Sequence, residues 1–155
     1  MQLTRTLAAI ALIAAATACK KDSPVEPKPG EPVVTTMSCD KGNGQTSACE
    51  IPLTGFTSFT ITLTGHDCEA HGNVLRLSKP SDVLLTEDGC YEPNNKVWGP
   101  YQGSATMAMT VTSHVYDNRP QLRVTQVDAS TWNVVFEDGY DTDFNDMVFT
   151  VSATK

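Results

Sequence analysis

Basic charge is scarce in this chain. Lys and Arg number 11 against 18 Asp and Glu, for a formal charge of −7, and nowhere do the cations cluster. A partner gripped through its phosphates, nucleic acid above all, is therefore excluded. Helical patterning is missing as well. Past the N-terminal leader, no stretch repeats apolar residues at intervals of three and four over a useful length, and no second membrane segment or internal repeat follows. Signatures of catalysis are equally thin. The chain has no Gly-x-Ser-x-Gly elbow and no His-Glu-x-x-His, and Ser113-His114 are sequence neighbours with nothing to single out a triad.

The N-terminus reads as a targeting segment. Arg5 gives a positive start, Leu7 to Ala15 form a short apolar core, and Ala16-Thr17-Ala18 precede Cys19. The apolar run is too short for a permanent span but suits an export signal over residues 1–18. Small residues directly before a cysteine resemble the lipobox of bacterial lipoproteins, with Ala16 where that motif usually carries Leu. The resemblance implies a lipid anchor on Cys19, hence a membrane partner and a place in the bacterial cell envelope. Plain secretion, with Cys19 an ordinary residue, is the other reading. Lys20, by resemblance to enterobacterial sorting, favours the outer membrane. Prolines at 24, 27, 29 and 32 favour polyproline II, so residues 19–35 read as a semi-rigid stalk. Residues 36–155 are then one domain's worth of chain.

Within that domain Cys39, Cys49, Cys68 and Cys90 make an even set, and in an oxidising compartment they read as two disulfides. Three pairings are possible. The sequence-local one, Cys39–Cys49 with Cys68–Cys90, is the simplest, and Asp40 to Ser47 could close a hairpin or loop between the first two. Strand signals recur along the rest. Phe59, Ile61 and Leu63 alternate with threonines, and Ala105, Met107, Met109 and Val111 alternate over 105–116. Val74–Leu77, Val83–Thr86, Leu122–Val127, Trp132–Phe136 and Met147–Val151 complete the set. Such alternation, broken by Gly, Asn, Asp and Pro turns, predicts an all-β antiparallel β-sandwich, jelly-roll-like or Greek-key, with a small β-barrel as the alternative.

The densest chemistry lies between the last two strands. Glu137, Asp138, Asp141, Asp143 and Asp146, with the amide of Asn145, fall within ten consecutive residues. Carboxylates that close must take up protons or gather around a cation. A hard, oxygen-seeking ion is the expected answer, and calcium is the obvious candidate. Asp141, Asp143 and Asn145 stand at i, i+2 and i+4, as an EF-hand loop begins. The rest of that motif fails, with Asp146 where Gly is required and Ser152 where a bidentate Glu belongs. Gly139 permits a left-handed turn that folds Glu137 and Asp138 back toward the later acids. Tyr140 and Phe144 are expected to pack under the loop. A solvated acidic hairpin without an ion is the bland alternative.

Glu137-Asp138, a short gap, then Asp141-x-Asp143-Phe144-Asn145-Asp146-x-Val148-Phe149 resembles the signature of a domain family of unknown function found in secreted and surface proteins of bacteria. The likeness covers about the last twenty residues. It implies a β-sandwich with a calcium site.

Two other constellations offer chemistry. His66-Asp-Cys68-Glu-Ala-His71 offers ligand types that zinc accepts, but the spacing is not that of a helical zinc pair, and Cys68 is better used in a disulfide. Trp98 and Tyr101, in an aromatic loop, offer a platform for a glycan or peptide, or simply pack against the sandwich. The reading that follows is an exported, lipid-anchored, calcium-binding sandwich without catalysis, serving binding, adhesion or envelope structure. A hydrolase of polysaccharide or peptide and a purely structural lipoprotein are the alternatives.

Overall fold

The computed structural model describes residues 35–39, 45–68, 71–114, 120–139 and 141–155. The leader, Cys19 and nearly all of the proline-rich stretch lie outside these residues, as do the 40–44 loop, Val115 and Tyr140. Ten strands are present: β1 (Thr35–Ser38), β2 (Thr46–Pro52), β3 (Ser58–Gly65), β4 (Val74–Lys79), β5 (Val83–Thr86), β6 (Val97–Gln102), β7 (Thr106–Thr112), β8 (Gln121–Gln126), β9 (Thr131–Glu137) and β10 (Met147–Thr154). The one helical element among the described residues is a single 3₁₀ turn at Gly89–Tyr91.

The strands form two antiparallel sheets, one ordered β1-β8-β9-β10-β3-β6 and one ordered β2-β7-β4-β5. Each sheet ends in open edges, so the fold is the expected sandwich and not the barrel. The alternation read from the sequence explains why the sheets stack. Phe59, Ile61 and Leu63 of β3, Met107, Met109 and Val111 of β7, and Trp132, Val134 and Phe136 of β9 are all buried, together with Met147, Phe149 and Val151 of β10. They form one continuous core. Burying a side chain of this size contributes about 1.5–3 kcal/mol against the entropy of ordering the chain.

The disulfides pair as the sequence-local reading expects, Cys39 with Cys49 and Cys68 with Cys90. The first does not close a hairpin, however. β1 pairs with β8 in one sheet and β2 with β7 in the other, so Cys39–Cys49 ties the two sheets together. Cys68–Cys90 does likewise, linking the segment after β3 to the 3₁₀ turn after β5.

The sequence misplaced three other features. Val97–Gln102, expected as an aromatic loop, is edge strand β6 paired with β3. Gly99-Pro100 hides a strand signal that only an edge tolerates. β2 escaped notice because Ser47 occupies one of its inward positions beside Cys49 and Ile51, and all three are buried. Ala105, expected in an inward row, is exposed and precedes β7.

Strand direction positions the site. β1 and β9 run the same way, because each is antiparallel to β8. Thr35 therefore lies level with Gln126, Trp132 and Val151. The first and last described residues leave from one end of the sandwich, and the β9–β10 connection caps the other.

Candidate metal centre

The acidic loop joins two central strands of the larger sheet, β9 and β10. Alternation along β9 sends Trp132, Val134 and Phe136 into the core, which aims Glu137 at the outer face. Yet Glu137 is fully buried, because the loop folds back over that face. Its carboxylate accepts the Gly139 N–H at 2.9 Å through one oxygen and the Phe144 N–H at 3.1 Å through the other. Two main-chain donors on one carboxylate make charge-assisted hydrogen bonds, stronger than neutral ones. They pin both ends of the loop to the end of β9.

Gly139 takes φ +97, the left-handed turn expected after Asp138. Phe144 takes φ +61, which costs a non-glycine residue roughly 1–2 kcal/mol. Three contacts offset that strain. The Phe144 N–H is held by Glu137, its side chain is buried, and the Arg123 guanidinium lies 3.3 Å above its ring centroid. A cation over an aromatic face contributes about 0.5–1 kcal/mol at an exposed site and about 2 kcal/mol where the pair is desolvated. Nothing in the sequence pointed to Arg123. Its place follows from the pairing of β8 with β9, which sets it opposite Val135 on the outer face.

The remaining acids are held by turns of their own. Asp141 accepts the Asp143 N–H at 3.1 Å, and Asp143 accepts the Asn145 N–H at 3.3 Å and the Asn145 side-chain amide at 2.6 Å. Asp146 closes the loop by accepting the Asp138 N–H at 2.6 Å. In this conformation Asn145 braces Asp143 with its amide nitrogen.

Two groups of carboxylate oxygens result. Glu137, Asp138 and Asp146, all buried, bring oxygens within 4.8 Å of one another, and so do Glu137, Asp141 and Asp143, of which the last two are exposed. Glu137 belongs to both. Ligands on opposite sides of a calcium ion stand roughly 4.8 Å apart, twice a bond of about 2.4 Å, so the spacing fits one coordination shell. A cluster of buried acids here could hold a metal ion. Burial pushes the Asp146 carboxyl up to about 7, and the negative charges of Asp138, Glu137 and Asp141 push the same way, while the hydrogen bond from Asp138 pulls against them.

Elsewhere the expected residues come apart. Cys68 is in a disulfide and has no thiolate to offer zinc. His66 Nε2 bonds the Glu92 carbonyl at 2.9 Å, and His71 stacks on the Tyr91 ring at 4.7 Å. Trp98 is buried, its Nε1–H donating to the Leu85 carbonyl at 3.0 Å, so its face is not open as a platform. Tyr101 is half-buried and tilted against Phe59. Ser113 is fully buried, a poor place for a nucleophile. A groove lined by Ala48, Glu50, Ser78, Lys79 and Ala108 carries one carboxylate among the described residues, Glu50, and Lys79 pairs with it.

No protein-family model matches the chain, nor does any characterised protein or solved structure. The likeness of the acidic loop to a family signature therefore rests on its residues alone.

Proposed function

We propose that this chain is an exported, lipid-anchored calcium-binding sandwich with a binding, adhesion or envelope role and no catalytic activity. The observation that carries the calcium reading is the burial of Glu137, Asp138 and Asp146 with carboxylate oxygens within 4.8 Å of one another. Several buried negative charges cost far more than one unless a cation sits among them. An all-oxygen set rich in carboxylates is what calcium takes and zinc or copper does not prefer. Magnesium, which demands a tighter octahedron and holds its waters, suits the braced loop less well. The anchor and the envelope location are supported by Arg5, the apolar core and the small residues before Cys19.

Calcium in this role is structural. It neutralises the loop, fixes the β9–β10 connection and leaves the surface to meet a glycan or protein partner. Melting the wild type and Asp143→Ala with and without calcium tests the site. Wild type gains several degrees and the variant gains less. If calcium moves neither protein, the site is not there. Binding on glycan and peptide arrays with and without calcium tests the role, and silence on both would leave a structural lipoprotein.

A further inference from the structure

The acidic loop is backed from one side by chain that no acidic residue predicts. β3 runs on past its last paired residue alongside residues 145–148. Thr64 Oγ1 donates to the Val148 carbonyl at 3.0 Å, the Asp67 N–H donates to the Asn145 carbonyl at 3.1 Å, and the Cys68 sulfur lies 2.8 Å from the Asp146 carbonyl oxygen. The 3₁₀ turn that carries Cys90 presses on the same region, so closely that a Cβ at Gly89 would collide with the Met147 sulfur. That turn is itself held in place. Asp88 accepts the Cys90 N–H at 3.1 Å and the Gly72 N–H at 2.7 Å, and the Gly89 N–H donates to the Asn73 carbonyl at 2.9 Å. Cys68–Cys90 is the covalent bolt between these two supports.

We propose that the Cys68–Cys90 disulfide is a positioning element of the cation site, so that the oxidation state of this pair sets the affinity for calcium. The inference rests on the calcium reading above. Asp67 is exposed, and a hydrogen bond such as the one it makes to Asn145 contributes only about 1 kcal/mol. Without the bolt, the extension of β3 is free to fray from residues 145–146. The Asp146 main chain then loses its backing, and the ordering of its carboxylate must be supplied by the ion at binding. Groups that orient ligands without touching the metal typically tune affinity about 10–100-fold. The redox step is ordinary exchange with a dithiol reductant. The S–S bond breaks, Cys68 and Cys90 each gain a proton and an electron, and the reductant closes to its own disulfide. Linkage is reciprocal, so bound calcium protects Cys68–Cys90 from reduction by the same factor. Cys39–Cys49 provides the control, because it joins β1 to β2, neither of which pairs with β9 or β10.

The test is calcium titration by calorimetry of the purified chain, as wild type, C68S/C90S and C39S/C49S. Loss of Cys68–Cys90 weakens Kd about tenfold or more, while loss of Cys39–Cys49 leaves it within about twofold. Equal Kd in C68S/C90S and wild type overturns the proposal, and so does an equal loss in both variants, which is general destabilisation. A measurement without variants runs alongside: in a dithiol redox buffer, calcium lowers the equilibrium reduced fraction of Cys68–Cys90 in the wild type and not that of Cys39–Cys49. No selective shift also overturns it. If oxidised wild type binds no calcium, the calcium reading itself falls. Amide exchange at residues 144–147 then decides whether Cys68–Cys90 supports the loop, by a rise in C68S/C90S that C39S/C49S does not share.

Discussion

Asp146→Asn should stabilise the calcium-free protein while shrinking the stabilisation that calcium adds. The substitution keeps the shape of a side chain that is 4% exposed and keeps an oxygen to accept the Asp138 N–H. Carboxylate oxygens of Glu137 and Asp138 lie within 4.8 Å of one of the Asp146 oxygens, so the new amide has acceptors nearby. What it removes is a buried charge. Without calcium that charge is a liability, because burial and neighbouring acids push the Asp146 carboxyl from 3.8 up to about 7. A folded-state value above the unfolded one means that the folded chain holds the proton more tightly. The resulting stability is complete below about pH 4 and is lost as pH rises through 7. At pH 8, calcium-free Asp146→Asn should therefore be more stable than wild type, on the order of 2 kcal/mol given about 1.4 kcal/mol per pH unit and partial relaxation of the loop. Calcium narrows that lead. At a hundred times Kd the wild type gains about 2.7 kcal/mol, a rise of about 10 °C in a domain of this size. A variant with tenfold weaker affinity gains about 1.4 kcal/mol at the same calcium, or about 5 °C. Differential scanning calorimetry at pH 5 and pH 8, with EDTA or with 10 mM calcium, reads all four conditions. If Asp146→Asn melts below wild type in EDTA at pH 8 and keeps the full calcium shift, the loop is not a shared cation shell.

Calcium binding at pH 7 should release part of a proton, because Asp146 is then near its midpoint and must ionise to ligate. Calorimetry in buffers of different ionisation enthalpy measures the number, which should fall toward zero at pH 8.5. Gly89→Ala should destabilise by about 1–3 kcal/mol, because the new Cβ collides with the Met147 sulfur and that fully buried side chain must repack; an unchanged denaturation midpoint would mean that the contact relaxes freely. Trp132→Ala should cost about 3–5 kcal/mol in chemical denaturation, as expected for emptying a fully buried site of this volume. Cys19→Ser should shift the protein from the membrane fraction to the soluble fraction, and continued sedimentation with membranes would count against a lipid anchor.

The parts of the fold legible in the sequence are those with clean period-two patterning. Phe59-x-Ile61-x-Leu63 and Trp132-x-Val134-x-Phe136 specify an inward face because nothing interrupts them. β2 and β6 escaped because Ser47 stands inward in the first and Gly99-Pro100 breaks the second. Pairing partners were not legible at all, since register depends on residues far apart in the chain. The candidate site divides in the same way. Its acids were readable from spacing, and so was the left-handed turn at Gly139. The clamp formed by Glu137 was not, because alternation alone sends that side chain toward solvent, and only the return of the loop buries it. Arg123 and Cys68 reach the loop through sheet pairing, which leaves no local trace.

Thr35 and Lys155 leave the sandwich at the end remote from the acidic loop, and this decides what a tether at Cys19 would present. Drawn out as polyproline II, fifteen residues, the number between Cys19 and Thr35, would reach roughly 45 Å at about 3.1 Å per residue. The eight residues of β10 add roughly 27 Å at about 3.4 Å each. The divalent ion would then sit at the outermost tip, several screening lengths beyond the charged lipid surface. Its occupancy would follow the ion content of the surrounding medium, and an approaching molecule would meet that tip first.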